Sequence, residues 1–164
     1  MNKIGIAAFL IGITLSSCFK NAGFNCNYDV CGNVATNSEI QAWQNYISSN
    51  SITAQQHCSG LFYRIENPGT GKSPGACSNI SVRYKGYFTS GAVFDQSTTS
   101  ISVELVQLIK GWRNVLPLLK AGGRIVLYVP PSLAYGSQEV KDNNGNVVIP
   151  PNSYLIFEID LDAV

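Results

Sequence analysis

Two segments of the chain alternate between apolar and polar side chains. In Leu155–Asp162 every second residue is apolar, and the intervening positions are acidic apart from Ile156. Ser81–Phe88 alternates in the same way. A period of two residues is typical of a strand with one face in a core and the other in water. Both segments are therefore predicted as strands, with Ile156 on the outward side.

A helix is predicted ahead of these strands, over about Thr36–Ser48. Thr36–Glu39 has the capping-box pattern, in which the Thr and Glu side chains each accept a hydrogen bond from a backbone N–H of the first turn. Ile40, Trp43 and Ile47 then recur at helical spacing. This stripe either packs the helix onto the domain that follows or forms a face for a partner.

The remaining elements are short. Strands are predicted at Leu61–Ile65, within Ser102–Ile109 and at Ile125–Val129. A short helix is predicted at Trp112–Lys120, and because Pro117 removes one helical hydrogen bond, this helix is expected to be kinked or to begin late. Many strands with one internal helix indicate an α+β domain with an antiparallel sheet.

The loop at 137–148 contains Asp142-Asn143-Asn144-Gly145-Asn146, and Asn-Gly is a favoured pair in hairpin turns. A hairpin is therefore expected there.

The N-terminus has the pattern of a secretory leader. Lys3 precedes the apolar run Ile4–Leu15, which is too short to cross a hydrocarbon core of ~30 Å. The following Leu15–Cys18 resembles the bacterial lipobox, in which the cysteine becomes the acylated first residue of the mature protein. We expect residues 1–17 to be a lipoprotein signal peptide and Cys18 to hold the chain at a bacterial membrane, in the periplasm or at the outer-membrane leaflet. An ordinary leader with a cysteine near its cleavage site is the alternative.

The remainder of the chain is expected to form two parts. Residues 18–55 would be a tether with a stapled turn and the N-terminal helix, and residues 56–164 the main domain.

The cysteines beyond the lipobox are even in number, which favours disulfides in an exported protein. They are Cys26, Cys31, Cys58 and Cys77, and they allow three pairings. Cys26 and Cys31 are near enough in sequence to close a small loop, and Cys58 and Cys77 flank the first strand and turn of the main domain. A zinc site assisted by His57 is the rival interpretation, but the spacing is unlike that of a zinc finger.

Composition excludes several classes of function. Of the 164 residues 45% are hydrophobic and 13% charged, with a formal net charge of +1. No stripe of Lys and Arg is present, so nucleic-acid binding is not expected. No nucleophile elbow, phosphate loop or carboxylate-rich metal motif occurs either. The sequence thus predicts neither a metal nor a cofactor.

Five short motifs instead carry a set of aromatic and apolar residues. In this order they resemble the FKBP-type peptidyl-prolyl isomerases. The motifs are Val82–Gly86 (VRYKG), Gly91–Asp95 (GAVFD), Leu108–Trp112 (LIKGW), Ala134–Gly136 (AYG) and Ile149–Ile159 (IPPNSYLIFEI).

The resemblance implies a fold, a site and partners. The fold would be an antiparallel sheet wrapped around one short helix, with proline-containing polypeptides, and also macrolide-type FKBP ligands, binding between them. Trp112 would form the floor of the pocket, and the Ile109 N–H and the Tyr135 hydroxyl would bind substrate carbonyls. The other residues implied are Tyr84, Phe94, Asp95, Val103, Leu108, Ile149 and Phe157.

Such a pocket suits the isomerisation of a proline peptide bond. Rotation about the bond faces a barrier of ~18–20 kcal/mol because resonance makes it partly double. No bond forms or breaks, so neither a nucleophile nor a cofactor is needed. A dry aromatic pocket favours the twisted, less polar amide over the planar one. Asp95 is expected to orient groups by hydrogen bonding rather than to transfer a proton.

The chain departs from the family at two places. Many members have an aromatic residue in the strand before Leu108, where this chain has Ile101 and Val103. The 137–148 loop also differs from compact versions, and it either selects substrates or is a tolerated insertion. Two other functions stay open: a proline-peptide-binding module with little turnover, and a chaperone that holds unfolded chains through the aromatic face of the N-terminal helix.

Overall fold

A computed structural model describes residues 26–164 of the chain, so the leader and Cys18 lie outside the described residues. It contains a six-stranded antiparallel sheet, a separate hairpin and two α-helices. In chain order the elements are α1 (Asn37–Ser49), β1 (Gln55–Gln56), β2 (Phe62–Asn67), β3 (Asn79–Phe88), β4 (Val93–Glu104), α2 (Lys110–Val115), β5 (Gly123–Val129), β6 (Val140–Lys141), β7 (Val147–Ile149) and β8 (Leu155–Ala163).

The C-terminal strand β8 lies in the interior of the sheet. The strand order is β1-β2-β5-β8-β3-β4. Phe157 of β8 is therefore opposite Leu127 of β5 on one side and Gly86 of β3 on the other. The alternation seen in the sequence places Phe157, Ile159 and Leu161 on the face that meets α2, where each is at most 4% exposed.

The second face of the sheet is covered by α1. Trp43 and Ile47 pack there on a smaller apolar cluster. Ile156, predicted to point outward, is only 2% exposed because it belongs to this cluster. The sheet partners of the helix are Phe62, Val126, Tyr128 and Ile156. Of the two interpretations of the aromatic stripe, packing onto the domain is the one observed.

The first turn of α1 has the predicted capping box. The Glu39 N–H donates to Thr36 Oγ1 at 3.3 Å, and the Thr36 N–H donates to the Glu39 carboxylate at 2.9 Å. The same carboxylate accepts from the Ser132 N–H and hydroxyl, both at 2.8 Å. Burial alone would raise the pKa of Glu39, but these hydrogen bonds lower it. Glu39 thus joins the start of the helix to the loop after β5.

The cysteines form two disulfides, as expected, but the suggested pairing is wrong. Cys26 is bonded to Cys77, and Cys31 to Cys58, each pair with Cα atoms 5.4 Å apart. The N-terminal segment, residues 26–35, runs along the domain instead of closing on itself. Tyr28 of this segment stacks on Arg113 and donates to Asn114 Oδ1 at 2.8 Å. The bridges therefore join this segment to the main domain.

Two predicted elements have different bounds in the structure. The strand expected within Ser102–Ile109 is the end of β4, which starts at Val93 and ends at Glu104. The helix expected at Trp112–Lys120 is α2, which begins at Lys110 and ends at Val115. A 3₁₀ turn that contains Pro117 follows it, because proline lacks the N–H that would continue the α-helix.

The hairpin expected in the 137–148 loop is present. Strands β6 and β7 pair antiparallel across the turn. Asp142 Oδ1 accepts the N–H groups of Asn144 and Asn146, each at 2.9 Å. Gly145 has φ +84°, a conformation that other residues rarely adopt.

Over residues 26–164, neither helix has the length and apolar character needed to cross a bilayer.

Replacing Trp43 tests the docking of α1. Trp43→Ala should lower the free energy of unfolding by about 3–5 kcal/mol, because it removes a large side chain that is 1% exposed. Urea denaturation monitored by circular dichroism measures the change. Ser48→Ala, at an exposed position of the same helix, is the control. Equal midpoints for the two variants would contradict this packing.

Candidate active site

The floor of the candidate site is Trp112, which α2 holds against the inner face of the sheet. The side chain is 5% exposed. Its neighbour Gly111 permits the close approach, since a Cβ at that position would lie 2.6 Å from Val129 Cγ1 of β5. The glycine before Trp112 therefore sets the depth at which the indole lies.

Four aromatic rings meet edge to face above and beside this floor. The Trp112 and Phe157 ring centroids are 5.4 Å apart with an interplanar angle of 85°. Phe94 meets Phe157 at 5.6 Å and 84°, and Tyr84 meets Trp112 at 5.5 Å and 78°. Edge-to-face contacts match the positive edge of one ring to the negative face of the next. These four side chains, all among those predicted for the pocket, thus form one contiguous group.

Tyr84 and Asp95 form the polar side of this group. The Tyr84 hydroxyl donates to Asp95 Oδ2 at 2.6 Å. Burial raises the pKa of Tyr84 strongly, and the hydrogen bond and negative charge of Asp95 raise it further. Tyr84 consequently remains a neutral donor at physiological pH, and Asp95 is held by a short hydrogen bond next to the rings.

Tyr135 follows the 3₁₀ turn after β5, and 38% of its surface is exposed. Desolvation raises the pKa of its hydroxyl, and the charge of Asp95 adds to the rise. In the described part of the chain, no acceptor lies within hydrogen-bond distance of this hydroxyl. It is therefore a protonated donor available to a ligand.

Ile109 lies at the start of α2, after the 3₁₀ turn that follows β4. Its carbonyl accepts from the N–H groups of Trp112 and Arg113 at 3.1 and 3.2 Å. Its own N–H has no acceptor among residues 26–164. The backbone donor expected at this position is thus unoccupied and lies at the base of the helix that carries the floor.

The chain matches a known family over these elements. The model of the FKBP-type peptidyl-prolyl cis-trans isomerase domain matches residues 71–162, more than half of the sequence. The chain belongs to the FKBP-type peptidyl-prolyl cis-trans isomerase family.

Individual relatives agree with this assignment. The FKBP-type isomerase FkpA of Buchnera aphidicola is 43% identical over 106 residues, which are 63% of this chain and 42% of that protein. The outer membrane protein MIP of Legionella longbeachae is 38% identical over 109 residues, 65% of this chain and 45% of that protein. This FKBP chain therefore aligns with less than half the length of these curated relatives.

Solved structures resemble most of the described fold. A peptidyl-prolyl cis-trans isomerase from Pseudomonas syringae pv. tomato has a TM-score of 0.65 and 29% identity, covering 80% of this chain and 96% of the other. FkpA from Escherichia coli has a TM-score of 0.64 and 32% identity, with coverage of 76% and 59%. The FKBP fold expected from the motifs, a sheet around one short helix, is confirmed.

The other predicted site residues belong to, or pack against, the same apolar core as Trp112 and Phe157. Ile149, at the end of β7, is buried in the main core at 3% exposure. Leu108 and Val103 are partly buried against that core. Val103 lies opposite Ile80 in the β3–β4 pairing. No aromatic side chain occupies this part of β4, since positions 101 and 103 are aliphatic.

Two neighbours of the pocket were not predicted. Gly86 of β3 lies beneath its walls: a Cβ there would be 2.6 Å from Phe94 Cζ and 3.0 Å from Phe157 Cε1. Phe88, also on β3, meets Phe94 at a centroid distance of 5.1 Å. The signal for Gly86 was present in the VRYKG motif, because a glycine inside a strand often marks close approach by another group.

Gly86→Ala tests whether the walls depend on this space. The added methyl should displace Phe94, raise the KM for a proline peptide several-fold and destabilise the fold by about 1–3 kcal/mol. Steady-state kinetics and thermal unfolding measure the two effects. Gly75→Ala is the control, because a Cβ there would be 3.9 Å from its nearest neighbour, Ser78 Oγ. Equal behaviour of the two variants would show that the walls tolerate the methyl.

Proposed function

We propose that this chain is a peptidyl-prolyl cis/trans isomerase that acts on exported proteins at the bacterial cell envelope. The observation that carries the proposal is the combination of a buried aromatic floor and two donors without acceptors among residues 26–164. Trp112 and Phe157 offer an apolar surface to a proline ring, while the Ile109 N–H and the Tyr135 hydroxyl have no acceptors among the described residues. Family membership supports the same reaction.

The reaction follows from what the pocket excludes. In water the planar amide is stabilised by resonance and by hydrogen bonds to its polar carbonyl. Rotation removes the resonance and makes the amide less polar, so an apolar pocket weakens the planar state more than the twisted one. Differential binding of this kind lowers the barrier without any covalent step. Phe94, Phe157 and Trp112 supply this environment.

The polar groups hold the chain while one side of the bond rotates. Donors at Ile109 and Tyr135 would fix carbonyls that flank the proline, which limits the motion to the bond that isomerises. Asp95 would orient the site through its 2.6 Å hydrogen bond from Tyr84. Burial and Asp95 keep the pKa of Tyr84 high, which fits an orienting role rather than proton transfer. Macrolide-type FKBP ligands are expected to compete for the same pocket.

Location at the envelope is supported by independent features. The lipobox-like Leu15–Cys18 predicts acylation of Cys18. Disulfides such as Cys26–Cys77 and Cys31–Cys58 persist in oxidising compartments outside the cytosol. The relative from Legionella longbeachae is named an outer membrane protein. The substrates would therefore be proline-containing chains that fold after export.

A proline-binding module with little turnover is the second candidate. The observation that favours it is the aliphatic pair Ile101 and Val103, where many FKBP domains have an aromatic wall. A thinner wall leaves the planar amide better hydrated and reduces the difference between the two states. The holding function through α1 has less support, because Trp43 and Ile47 are already packed on the sheet.

An X-Pro isomerisation assay of the full-length protein in detergent separates these functions. Wild-type protein should accelerate the reaction, and Trp112→Leu and Phe94→Ala should each reduce kcat/KM by about tenfold or more, corresponding to ~1.4 kcal/mol of transition-state stabilisation. Val93→Ala, at an exposed neighbouring position, should retain activity. A wild-type rate equal to the uncatalysed rate would exclude the enzyme. Unchanged activity in both pocket variants would exclude this site.

The anchor is tested by metabolic labelling with a radioactive fatty acid. The wild-type protein should incorporate label and sediment with membranes, because several acyl chains hold a protein firmly in a bilayer. Cys18→Ala should abolish both, whereas Ser17→Ala should leave both intact. Label that persists in Cys18→Ala would refute acylation at this residue.

A further inference from the structure

A cavity of about 440 Å³, open to solvent, lies between the N-terminal segment and α2. Tyr28, Asp29 and Asn33 line it from the segment, and Val106 and Arg113 from the domain. None of these residues belongs to the proline pocket described above. The cavity depends on the disulfide-bonded segment, which crosses α2 at this place.

Arg113 lacks an ionic partner in this cavity. Its guanidinium lies 4.0 Å from the centroid of the Tyr28 ring. Its Nε is buried without an acceptor, and across residues 26–164 no carboxylate lies within 4.0 Å of the group. Buried donors are nearly always paired in folded proteins, so a water, an ion or a ligand atom is expected to satisfy a donor that has no protein acceptor. One face of the guanidinium is thus fixed by the tyrosine, while its terminal Nη groups, which are not among the buried atoms, remain available to a ligand.

A second buried donor without an acceptor lies on the next residue of α2, behind the residues that line the cavity. Asn114 is 1% exposed and accepts from the Tyr28 hydroxyl through Oδ1, while its Nδ2 is buried without an acceptor. The disulfides at Cys26 and Cys31 hold the segment that carries Tyr28. The cavity is therefore formed before any ligand binds, which reduces the entropy lost on binding.

A carboxylate is the ligand that suits this arrangement. The planar guanidinium fork pairs with the two oxygens of a carboxylate. Asp29, whose Oδ1 accepts from the Cys31 N–H, also lines the cavity, and its negative charge opposes a doubly charged phosphate more than a singly charged carboxylate. A single carboxylate brings one charge, which Arg113 neutralises.

The cavity and the candidate proline pocket adjoin each other, because Arg113 of the cavity directly follows Trp112 of the pocket floor in α2. Val106 lines the cavity, and Leu108, two residues later, belongs to the pocket, so their Cα atoms are at most ~7.6 Å apart. An extended peptide advances ~3.3–3.6 Å per residue. A side chain two or three residues from the proline can therefore reach Arg113.

We propose that Arg113 and the cavity beside it form a subsite for an acidic side chain two or three residues from the substrate proline. This inference rests on the proposed function for its connection to turnover. It predicts that the chain prefers clients with Asp or Glu near the proline. The segment held by the two disulfides would then contribute to substrate selection.

The test compares peptides that differ only in charge. Glu and Gln are placed two or three residues before or after the proline, and isomerisation by the full-length protein in detergent is measured. At one or more of these positions the Glu peptide should have a KM about fivefold lower than its Gln counterpart, the range of an ion pair near a protein surface, with kcat unchanged. Equal KM values at every position would overturn the proposal.

Variants separate the subsite from the overall charge of the protein. Arg113→Gln should raise the KM of the preferred Glu peptide to that of the Gln peptide, whereas Lys110→Gln, the same charge change at an exposed position of α2, should retain the preference. Loss of the preference in both variants, or in neither, would overturn the proposal.

Arg113→Lys keeps the charge without the fork and should reduce the preference to about twofold. Full preference in Arg113→Lys would exclude recognition by the fork. If circular dichroism shows that Arg113→Gln is unfolded, the proposal is tested by Arg113→Lys and by the comparison of Glu and Gln peptides with the wild-type protein.

A binding measurement keeps this inference separate from the enzymatic one. If the wild-type protein catalyses no isomerisation, the proposed function fails. Titration calorimetry with the same peptides then tests the subsite alone. A Kd about fivefold lower for the Glu peptide supports the subsite, and equal Kd values exclude it.

Discussion

Burial of both faces of β8 is the constraint on which the rest of the structure depends. On one face Phe157 contacts the indole of Trp112, which α2 carries, and on the other Ile156 lies beneath α1. Each helix therefore has an apolar surface to pack on, and the strands beside β8 extend that surface. The pocket is the part of the inner face where aromatic edges, rather than aliphatic side chains, complete the packing. The candidate site is therefore continuous with the apolar core and differs from it in being lined by aromatic rings.

The rigidity of this region follows from small residues as much as from large ones. Gly111 lets α2 approach Val129, and Gly86 leaves the space that the Phe94 ring occupies. Both places would be blocked by a single methyl group. The backbone at Gly86 consequently lies directly against the rings of Phe94 and Phe157, and the close approach at Gly111 positions the helix that carries Trp112. A surface of this kind is formed before substrate arrives, which favours differential binding of the twisted amide.

The sequence predicted the elements with strong periodicity and left out those formed by tertiary contacts. The capping box and the spacing of Trp43 predicted α1, and alternation predicted β3 and β8. Most of β4 was missed because an edge strand with one neighbour has little apolar periodicity, and its sequence is rich in Ser and Thr. Ile156 was assigned to solvent because alternation alone cannot show that a helix covers the second face. The disulfide pairing depended on the path of the first segment along α2, which no local pattern encodes. The candidate pocket residues were predicted from ordered motifs, and the structure brings together the rings of Tyr84, Phe94, Trp112 and Phe157. Gly86 was passed over because it has no side chain of its own.

The Cys26–Cys77 bridge has a mechanical consequence. Residues 27–76, which include α1 and β2, form a loop that this bond closes. Tension on the chain ahead of Cys26 enters the domain through Cys77, two residues before β3 begins, and bypasses the whole loop. The load then passes along β3, whose hydrogen bonds to β4 and β8 must shear together before the strand can move. A domain pulled from its N-terminal side would thus resist extension through the β3–β4 and β3–β8 pairings. The elements inside the closed loop, α1 and β2 among them, would carry no tension.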